Sequence, residues 1–353
     1  MQTGKSLSKF YNPVKKISEV NNFMMKNKKK LCLCILFALI FILAVLVGYI
    51  KFIEHRSLSS WVIEKAFWFM GTKKLSVQIA EAGLTELQRL QKPDKTDNPS
   101  ELLGMPVTET EIGGMQVFIW NDFYNQNQKI ILYIHGGSYI NHAVNQHYTA
   151  VTTIAKAAGA KVIFPVYPLA PKTTYKTVYR QLNELYKEIL KTSAAEKITV
   201  IGDSAGGGLA LGFALYLRDT QQAQPARLVL FSPWVDVTMT HPEIKNYEST
   251  DPMLYGPYLA LAGEAWAGGK ENIKEPYVSP AYGNFNGIAP IIMFTGTHDI
   301  LYPDILKFHS LLKMQGAEHS IVIAEKMNHA YALYPIPEAK QVQYDIAALI
   351  KAQ

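Results

Sequence analysis

The sequence predicts an α/β fold in which helices cover both faces of a mainly parallel central sheet, preceded by one membrane-spanning helix. Three observations support this prediction. Strand-like and helix-like segments alternate from about residue 105 to the end of the 353-residue sequence. Residues 200–208 place a serine in a Gly-x-Ser-x-Gly frame between a β-branched run and a small-residue run. Residues 31–50 contain no charged side chain.

Residues 1–30 are predicted to form a basic cytoplasmic tail. They hold eight lysines and one glutamate, or about +7, whereas the whole chain carries +6. The rest of the chain is therefore close to −1. A basic surface for nucleic acid is not predicted, because the positive charge belongs to the tail.

Residues 31–50 are predicted to be a transmembrane anchor, because 20 helical residues span about 30 Å of hydrocarbon. A cleaved signal peptide is the alternative, but its apolar core is shorter and ends in small residues that are missing here. Four lysines precede the segment within residues 26–30, and only Lys51 and Arg56 follow closely. This asymmetry predicts a cytoplasmic N-terminus and an extracytoplasmic C-terminal part.

Both cysteines, Cys32 and Cys34, lie in the apolar run and are interpreted as ordinary apolar residues. A disulfide, a cysteine nucleophile and a zinc-thiolate site are therefore not predicted in the C-terminal part.

After the anchor, residues 51–104 are predicted to form stalk or cap helices, and residues 105–353 the catalytic domain. The last part of the first region, residues 91–100, is predicted to be a loop. A long insertion covers about residues 233–288. Strands are predicted at 115–120, 129–134, 161–166, 197–201, 227–231, 290–295 and 320–324, and helices at 146–158, 175–192, 205–217, 303–315 and 337–351.

Ser204 is the predicted nucleophile, because a strand, a sharp turn and a helix surround it. A serine at such a turn exposes its hydroxyl, and Gly202 and Gly206 remove side chains that would collide where the backbone doubles back. The same pentapeptide alone is also compatible with a packing device or with an anion site at a helix N-terminus.

A serine nucleophile requires a base and an acid that orients it, and in this architecture they follow in the order acid, then histidine. Asp299 and His329 each follow a predicted strand and fulfil this order. Asp236 and Asp304 are the alternatives for the acid. Three other histidines, His298, His309 and His319, are expected to be ordinary surface groups.

The negative oxygen of an acyl-transfer transition state needs hydrogen-bond donors. Gly136 and Gly137 follow a predicted strand, and the absence of side chains would let their N–H groups approach a ligand. Together with Ala205 they are the predicted oxyanion hole. His135 is expected to shape the loop and not to act as a base.

Six ordered motifs resemble the hormone-sensitive-lipase-like esterases of the α/β-hydrolase superfamily, over about residues 105–350. The resemblance implies a Ser204, Asp299 and His329 triad, oxyanion donors at Gly136, Gly137 and Ala205, and a cap formed by residues 57–100 and 233–288. The motifs are His135-Gly136-Gly137, Tyr167-Pro168-Leu169-Ala170-Pro171, Gly202-Asp203-Ser204-Ala205-Gly206-Gly207, Ser232-Pro233-Trp234-Val235-Asp236, Tyr277-Val278-Ser279-Pro280 and Gly296-Thr297-His298-Asp299-Ile300-Leu301.

The sequence departs from the family pattern at two loops. Ser138 stands where the family has a third glycine, which affects the pocket and not the two donor glycines. Pro168 and Lys172 replace an arginine and a glutamate of the family, a difference that does not touch the implied triad.

The predicted function is that of a membrane-anchored serine carboxylesterase acting on small ester substrates, with no metal and no organic cofactor. An amidase or deacetylase with the same triad is the nearer alternative, since the anchored topology also resembles that of the arylacetamide deacetylases of the same broad family. A ligand-binding module on the same fold is the other, and the presence of His329 disfavours it. The aromatic residues near the insertion are expected to be mostly core; they are Trp234, Tyr247, Tyr255, Tyr258, Trp266, Tyr277 and Tyr282.

Overall fold

The computed structural model describes residues 13–353 and divides the chain into two units, Met1–His55 and Arg56–Gln353. The described part of the first unit is dominated by one helix, α1 (Pro13–Phe52). Within it, Asn21–Phe52 is long and apolar enough to cross a membrane, with a mean hydropathy of 3.2 over an 18-residue window. A signal sequence also meets this test. The first part of the predicted tail, residues 1–12, lies outside the described residues.

The second unit is built on one eight-stranded sheet, in the order β1-β2-β4-β3-β5-β6-β7-β8. β1 and β2 pair antiparallel, as do β2 and β4, and all other neighbours pair parallel. The predicted mainly parallel sheet is therefore confirmed. The strands are β1 (Val107–Ile112), β2 (Met115–Trp120), β3 (Ile130–Ile134), β4 (Lys161–Val166), β5 (Ile198–Asp203), β6 (Arg227–Phe231), β7 (Ile291–His298) and β8 (His319–Asn328).

Helices pack on both faces of the sheet because alternate side chains of each strand point to opposite faces. In β3, Leu132 joins one buried cluster, whereas Ile131 and Tyr133 join the other. The first cluster includes residues of α7 (Tyr175–Leu190), α8 (Ser204–Asp219) and α11 (Tyr302–Gln315). The second includes residues of α6 (Asn145–Ala158) and α12 (Pro337–Lys351).

Two separate stretches pack together beside the carboxyl ends of the parallel strands. The earlier one contains α2 (Leu58–Met70), α3 (Lys73–Ala82) and α4 (Leu84–Arg89), followed by the short helix α5 (Ser100–Leu103). The later one, within the insertion after β6, contains α9 (Ile244–Tyr247) and α10 (Gly256–Ala267).

Side chains at the start of α3 join these two stretches. Thr72 donates a hydrogen bond to the carbonyl oxygen of Pro252 at 2.7 Å, and Lys73 donates one to that of Glu248 at 2.6 Å.

Strand β1 was not predicted. Its sequence, VTETEI, is mostly polar, and its residues are half-buried or exposed because it lies at the edge of the sheet. The apolar signal used to find the other strands is therefore weak here.

Candidate active site

Ser204 lies at the junction between strand β5 and helix α8, with a φ of 51°. This left-handed conformation is unfavourable for a residue other than glycine, and here the surrounding backbone enforces it. A Cβ atom on Gly202 would collide with the carbonyl of Gly206, and one on Gly206 would collide with the carbonyl oxygens of Ile134 and His135. The predicted reason for both glycines is confirmed.

Asp299 and His329 are in direct contact. The Nδ1 atom of His329 lies 2.9 Å from Oδ2 of Asp299, while Oδ1 of Asp299 accepts a hydrogen bond from the N–H of Leu301 at 2.9 Å. Both side chains are buried. Burial lowers the pKa of His329, but the charge of Asp299 and the hydrogen bond to it outweigh this effect, so that the pKa lies above its ordinary value.

Ser204 and His329 line the same cavity, which has a volume of about 370 Å³. No hydrogen bond joins them in the described part of the chain. Catalytic contacts of this kind commonly tighten only when substrate binds. The apolar wall of the cavity comes from both packed stretches and from the segment after His329; it includes Phe67, Met253, Leu254, Leu333 and Tyr334.

The alternative acids, Asp236 and Asp304, lie away from His329. Asp236 accepts hydrogen bonds from the N–H of Thr238 at 2.9 Å and from the hydroxyl of Tyr282 at 3.1 Å. Burial and the nearby charge of Asp236 raise the pKa of Asp304 to about 7. The structure therefore places Asp299, and neither alternative, against the imidazole.

The three predicted oxyanion donors differ in their surroundings. Gly137 lines the cavity, and its N–H donates no hydrogen bond within residues 13–353. Ala205 is buried in the first turn of α8, where N–H groups have no acceptor in their own helix. The N–H of Gly136 instead donates to Oδ1 of Asp203 at 3.0 Å, and Gly136 does not line the cavity. In this arrangement Gly136 holds the loop in place and is not an available donor, in contrast to the prediction.

Asp203 is the centre of a buried hydrogen-bond network behind the serine. Its Oδ1 atom also accepts from the hydroxyl of Tyr133 at 2.8 Å, and its Oδ2 atom lies 3.2 Å from Nε2 of His147. Burial raises the pKa of Asp203, but the charge of His147 and these hydrogen bonds lower it below its ordinary value. The carboxylate thus ties the Gly136 loop, strand β3 and helix α6 to the turn that carries Ser204.

His135 shapes the glycine loop, in line with the sequence interpretation. Its ring stacks on Tyr167 at a centroid distance of 4.4 Å, and Nδ1 lies 2.7 Å from the carbonyl oxygen of Gly136. Burial, with a smaller effect from His147, lowers the pKa of His135 to about 3. The imidazole is therefore neutral at physiological pH.

Asp251 is a buried carboxylate that the sequence analysis did not single out. Its Oδ1 atom accepts hydrogen bonds from the N–H groups of Met253 and Leu254, and its Oδ2 atom accepts one from Ile300, next to Asp299, at 3.0 Å. Burial, together with the charge of Asp299, raises the pKa of Asp251 to about 6. Asp251 connects the insertion that lines the cavity to the loop of the acid, and only the folded chain brings these segments together.

His298 is not an ordinary surface group, which corrects the prediction. Its Nδ1 atom lies 2.8 Å from Oε2 of Glu64 in α2, and Glu64 also forms a buried ion pair with Arg56 at 2.5 Å. Burial raises the pKa of Glu64, but its hydrogen bonds to His298, Arg56 and Lys65 lower it to about 2. Helix α2 is thereby fixed to the residue that precedes Asp299.

Six of the seven aromatic residues named near the insertion belong to the core or pack against it, whereas Tyr282 is exposed. Trp234 and Trp266 are fully buried, and none of the seven named residues lines the cavity. Phe67 and Tyr334 are its aromatic wall, with ring centroids 5.5 Å apart. Neither was singled out, because each lies outside the insertion. Within the described residues, no group of three or more His, Cys, Asp or Glu side chains is arranged to hold a metal ion.

Comparison with known proteins gives consistent matches. A family model described as the alpha/beta hydrolase fold matches residues 131–333, which include every predicted site residue. An esterase of Acinetobacter venetianus is 28% identical over 222 residues, covering 62% of this chain and 73% of that protein.

Solved structures give the same result. An esterase from the bacterial hormone-sensitive lipase family has a TM-score of 0.66 and 26% identity, covering 76% of this chain and 95% of that chain. The esterase EstE5, in crystals soaked with p-nitrophenyl butyrate, has a TM-score of 0.65 and 26% identity, covering 78% of this chain and 97% of that chain.

Proposed function

The chain belongs to the hormone-sensitive-lipase-like esterases of the α/β-hydrolase superfamily, and we propose that it hydrolyses small carboxylic esters through an acyl intermediate on Ser204. One observation carries this proposal. A buried Asp299 and His329 pair lies beside a cavity that is also lined by a serine held at φ 51° on a strand-to-helix turn. This is the arrangement that a serine hydrolase requires.

His329 acts as the base in this mechanism. With Nδ1 donating to Asp299, the neutral imidazole leaves Nε2 free to accept the proton of Ser204 as the hydroxyl attacks the ester carbonyl. The imidazolium then returns the proton to the leaving alcohol. Water then releases the acyl group through the same proton transfers. The negative charge of Asp299 stabilises the imidazolium during both acylation and deacylation.

The N–H groups of Gly137 and Ala205 stabilise the negative oxygen that develops on the carbonyl carbon. Removing one donor of this kind typically costs about 100- to 1000-fold in rate. Gly136 contributes indirectly, because its hydrogen bond to Asp203 fixes the loop on which Gly137 is carried.

Active-site labelling tests the proposal. The full chain in detergent is treated with a fluorophosphonate probe, and the adduct is located by mass spectrometry. We expect a single adduct on Ser204 that is lost in Ser204→Ala and kept in Ser138→Ala, a matched control because Ser138 lines the same cavity. An adduct on Ser138, or undiminished labelling of Ser204→Ala, would contradict the assignment. Parallel rates on p-nitrophenyl butyrate and the corresponding p-nitroanilide compare ester with amide cleavage.

We further propose that residues 31–50 remain as an uncleaved anchor, with the N-terminus in the cytoplasm and the catalytic domain outside it. The apolar helix and the lysines that precede it support this topology. Protease added to intact cells should digest the catalytic domain or release it. Complete protection, under conditions that cleave an external control protein, would contradict the orientation. The mass of the purified chain tests whether the segment is retained.

A further inference from the structure

A second depression adjoins the catalytic cavity. This groove has a volume of about 340 Å³ and lies between helix α6, the segment after His329 and helix α12. It shares Gln146, Leu333 and Tyr334 with the catalytic cavity, so the two spaces lie side by side. Helix α6 supplies most of its polar lining.

The groove differs from the catalytic cavity in its chemistry. Its polar side chains are the amides of Asn145, Gln146 and Gln343 and the hydroxyls of Thr149 and Thr153, and no charged side chain lines it. The groove therefore offers no cationic side chain to an anionic ligand and no carboxylate to a cationic ligand. An alkyl chain would offer no hydrogen-bond donor to the oxygen atoms of these side chains, which is unfavourable.

The hydrogen bonds already present show what the groove can offer. Thr149 and Thr153 donate their hydroxyl protons to the carbonyl oxygens of Asn145 and Thr149, at 3.1 and 3.0 Å. Gln343 donates to the carbonyl oxygen of Ala332 at 2.7 Å. The hydroxyl oxygens and the Gln343 amide oxygen therefore remain as acceptors, to which a ligand rich in hydroxyl groups can donate.

We propose that this groove binds the alcohol part of the ester substrate, and that this part is a sugar or another polyol. The acyl group then occupies the apolar cavity beside Phe67, Met253 and Leu254, with the ester carbonyl at Ser204. The aromatic ring of Tyr334, which borders both spaces, offers an apolar surface to the C–H groups of a sugar ring. This inference rests on the proposed ester hydrolysis, because it assigns the alcohol side of that reaction.

The test compares three substrates on the full chain in detergent: p-nitrophenyl acetate, a mono-acetylated methyl glucoside and acetylated xylan. The double variant Thr149→Val/Thr153→Val removes two acceptor oxygens while nearly keeping side-chain shape. We expect kcat/KM for the acetylated glucoside to fall about 10-fold, as the loss of one or two hydrogen bonds implies, with p-nitrophenyl acetate unchanged within about 2-fold. Turnover of both the glucoside and the xylan would identify the substrate as an acylated polysaccharide. Turnover of the glucoside alone would identify it as an ester of a free sugar.

Thr220→Val is the matched control, because Thr220 also donates to the carbonyl oxygen four residues earlier, that of Tyr216, at 2.7 Å, but lies outside the groove. It should leave all three rates unchanged. An equal loss on p-nitrophenyl acetate and the glucoside in the double variant, or no loss on either, would overturn the proposal.

Binding separates failure of this inference from failure of the proposed reaction. Calorimetric titration of the Ser204→Ala chain with xylotetraose should give a binding signal that the added Thr149→Val/Thr153→Val changes remove. Such binding without hydrolysis of any ester would support the sugar-binding role of the groove and refute the proposed ester hydrolysis. Hydrolysis of p-nitrophenyl acetate without sugar binding would refute the groove alone.

Discussion

Replacing Asp299 by asparagine should nearly abolish catalysis, whereas the same change at Asp236 should not. Asp299 and Asp236 are both buried aspartates that follow strands. Only Asp299 contacts His329, with 2.9 Å between Oδ2 and Nδ1. An asparagine there can turn its amide N–H towards Nδ1 and favour the tautomer that carries its proton on Nε2. Such an imidazole cannot accept the proton of Ser204.

The size of the effect follows from the contact that is lost. A hydrogen bond to a buried charge contributes about 1.5–3 kcal/mol, and inversion of the tautomer in a Ser-His-Asp triad lowers kcat by up to about 10⁴-fold. We therefore expect Asp299→Asn to lower kcat by about 10² to 10⁴-fold, which corresponds to about 3–5.5 kcal/mol. Asp236→Asn keeps an oxygen acceptor for Thr238 or Tyr282 and should change kcat by less than about 3-fold.

The assay is the initial rate on p-nitrophenyl butyrate, with circular dichroism to show that both variants are folded. If Asp236→Asn loses activity by more than about 100-fold while Asp299→Asn retains it, the assignment of the acid is wrong. Equal and small losses in both folded variants would instead show that an orienting acid is not needed.

Three further predictions concern buried groups around the site. Tyr133→Phe removes the 2.8 Å hydrogen bond to the Asp203 carboxylate and should lower the free energy of unfolding in urea by about 1.5–3 kcal/mol; a change below about 0.5 kcal/mol would contradict this. Because the pKa of Glu64 is lowered from 4.5 to about 2, its contribution to stability is present above pH 4.5 and is lost as the pH falls towards 2. Glu64→Gln should therefore weaken the dependence of the free energy of unfolding on pH in this range, and a dependence equal to that of the unmodified chain would contradict this. The raised pKa of His329 should place the acid limb of the pH profile of kcat/KM above pH 6.5. Asp251→Asn should shift that limb to lower pH because it removes a nearby negative charge, and an unchanged limb would show that this charge does not act on His329.

Most of the sheet and its helices could be predicted because their signals are local. The buried strands are continuous apolar runs, and helices such as α7 repeat apolar residues every three or four positions. The predicted boundaries differ from the observed ones by a few residues, as at β8, where the strand continues to Asn328. The edge strand β1 was not predicted because its side chains are half-buried or exposed and mostly polar.

The sequence by itself determined the positions of Ser204, Asp299 and His329 at the ends of strands, because turn chemistry and chain order are readable from neighbouring residues. Which atoms meet was decided only by the tertiary structure. Gly136 donates to Asp203, His298 contacts Glu64, and Asp251 binds the N–H of Ile300 across 49 positions of the chain. These contacts join segments that are distant in sequence, and hydrogen bonds depend on distances of about 3 Å that local patterns do not encode. Ser204 could therefore be proposed as the nucleophile from its own turn. The network that holds this turn, Asp299 and the glycine loop in place became visible only in the folded chain.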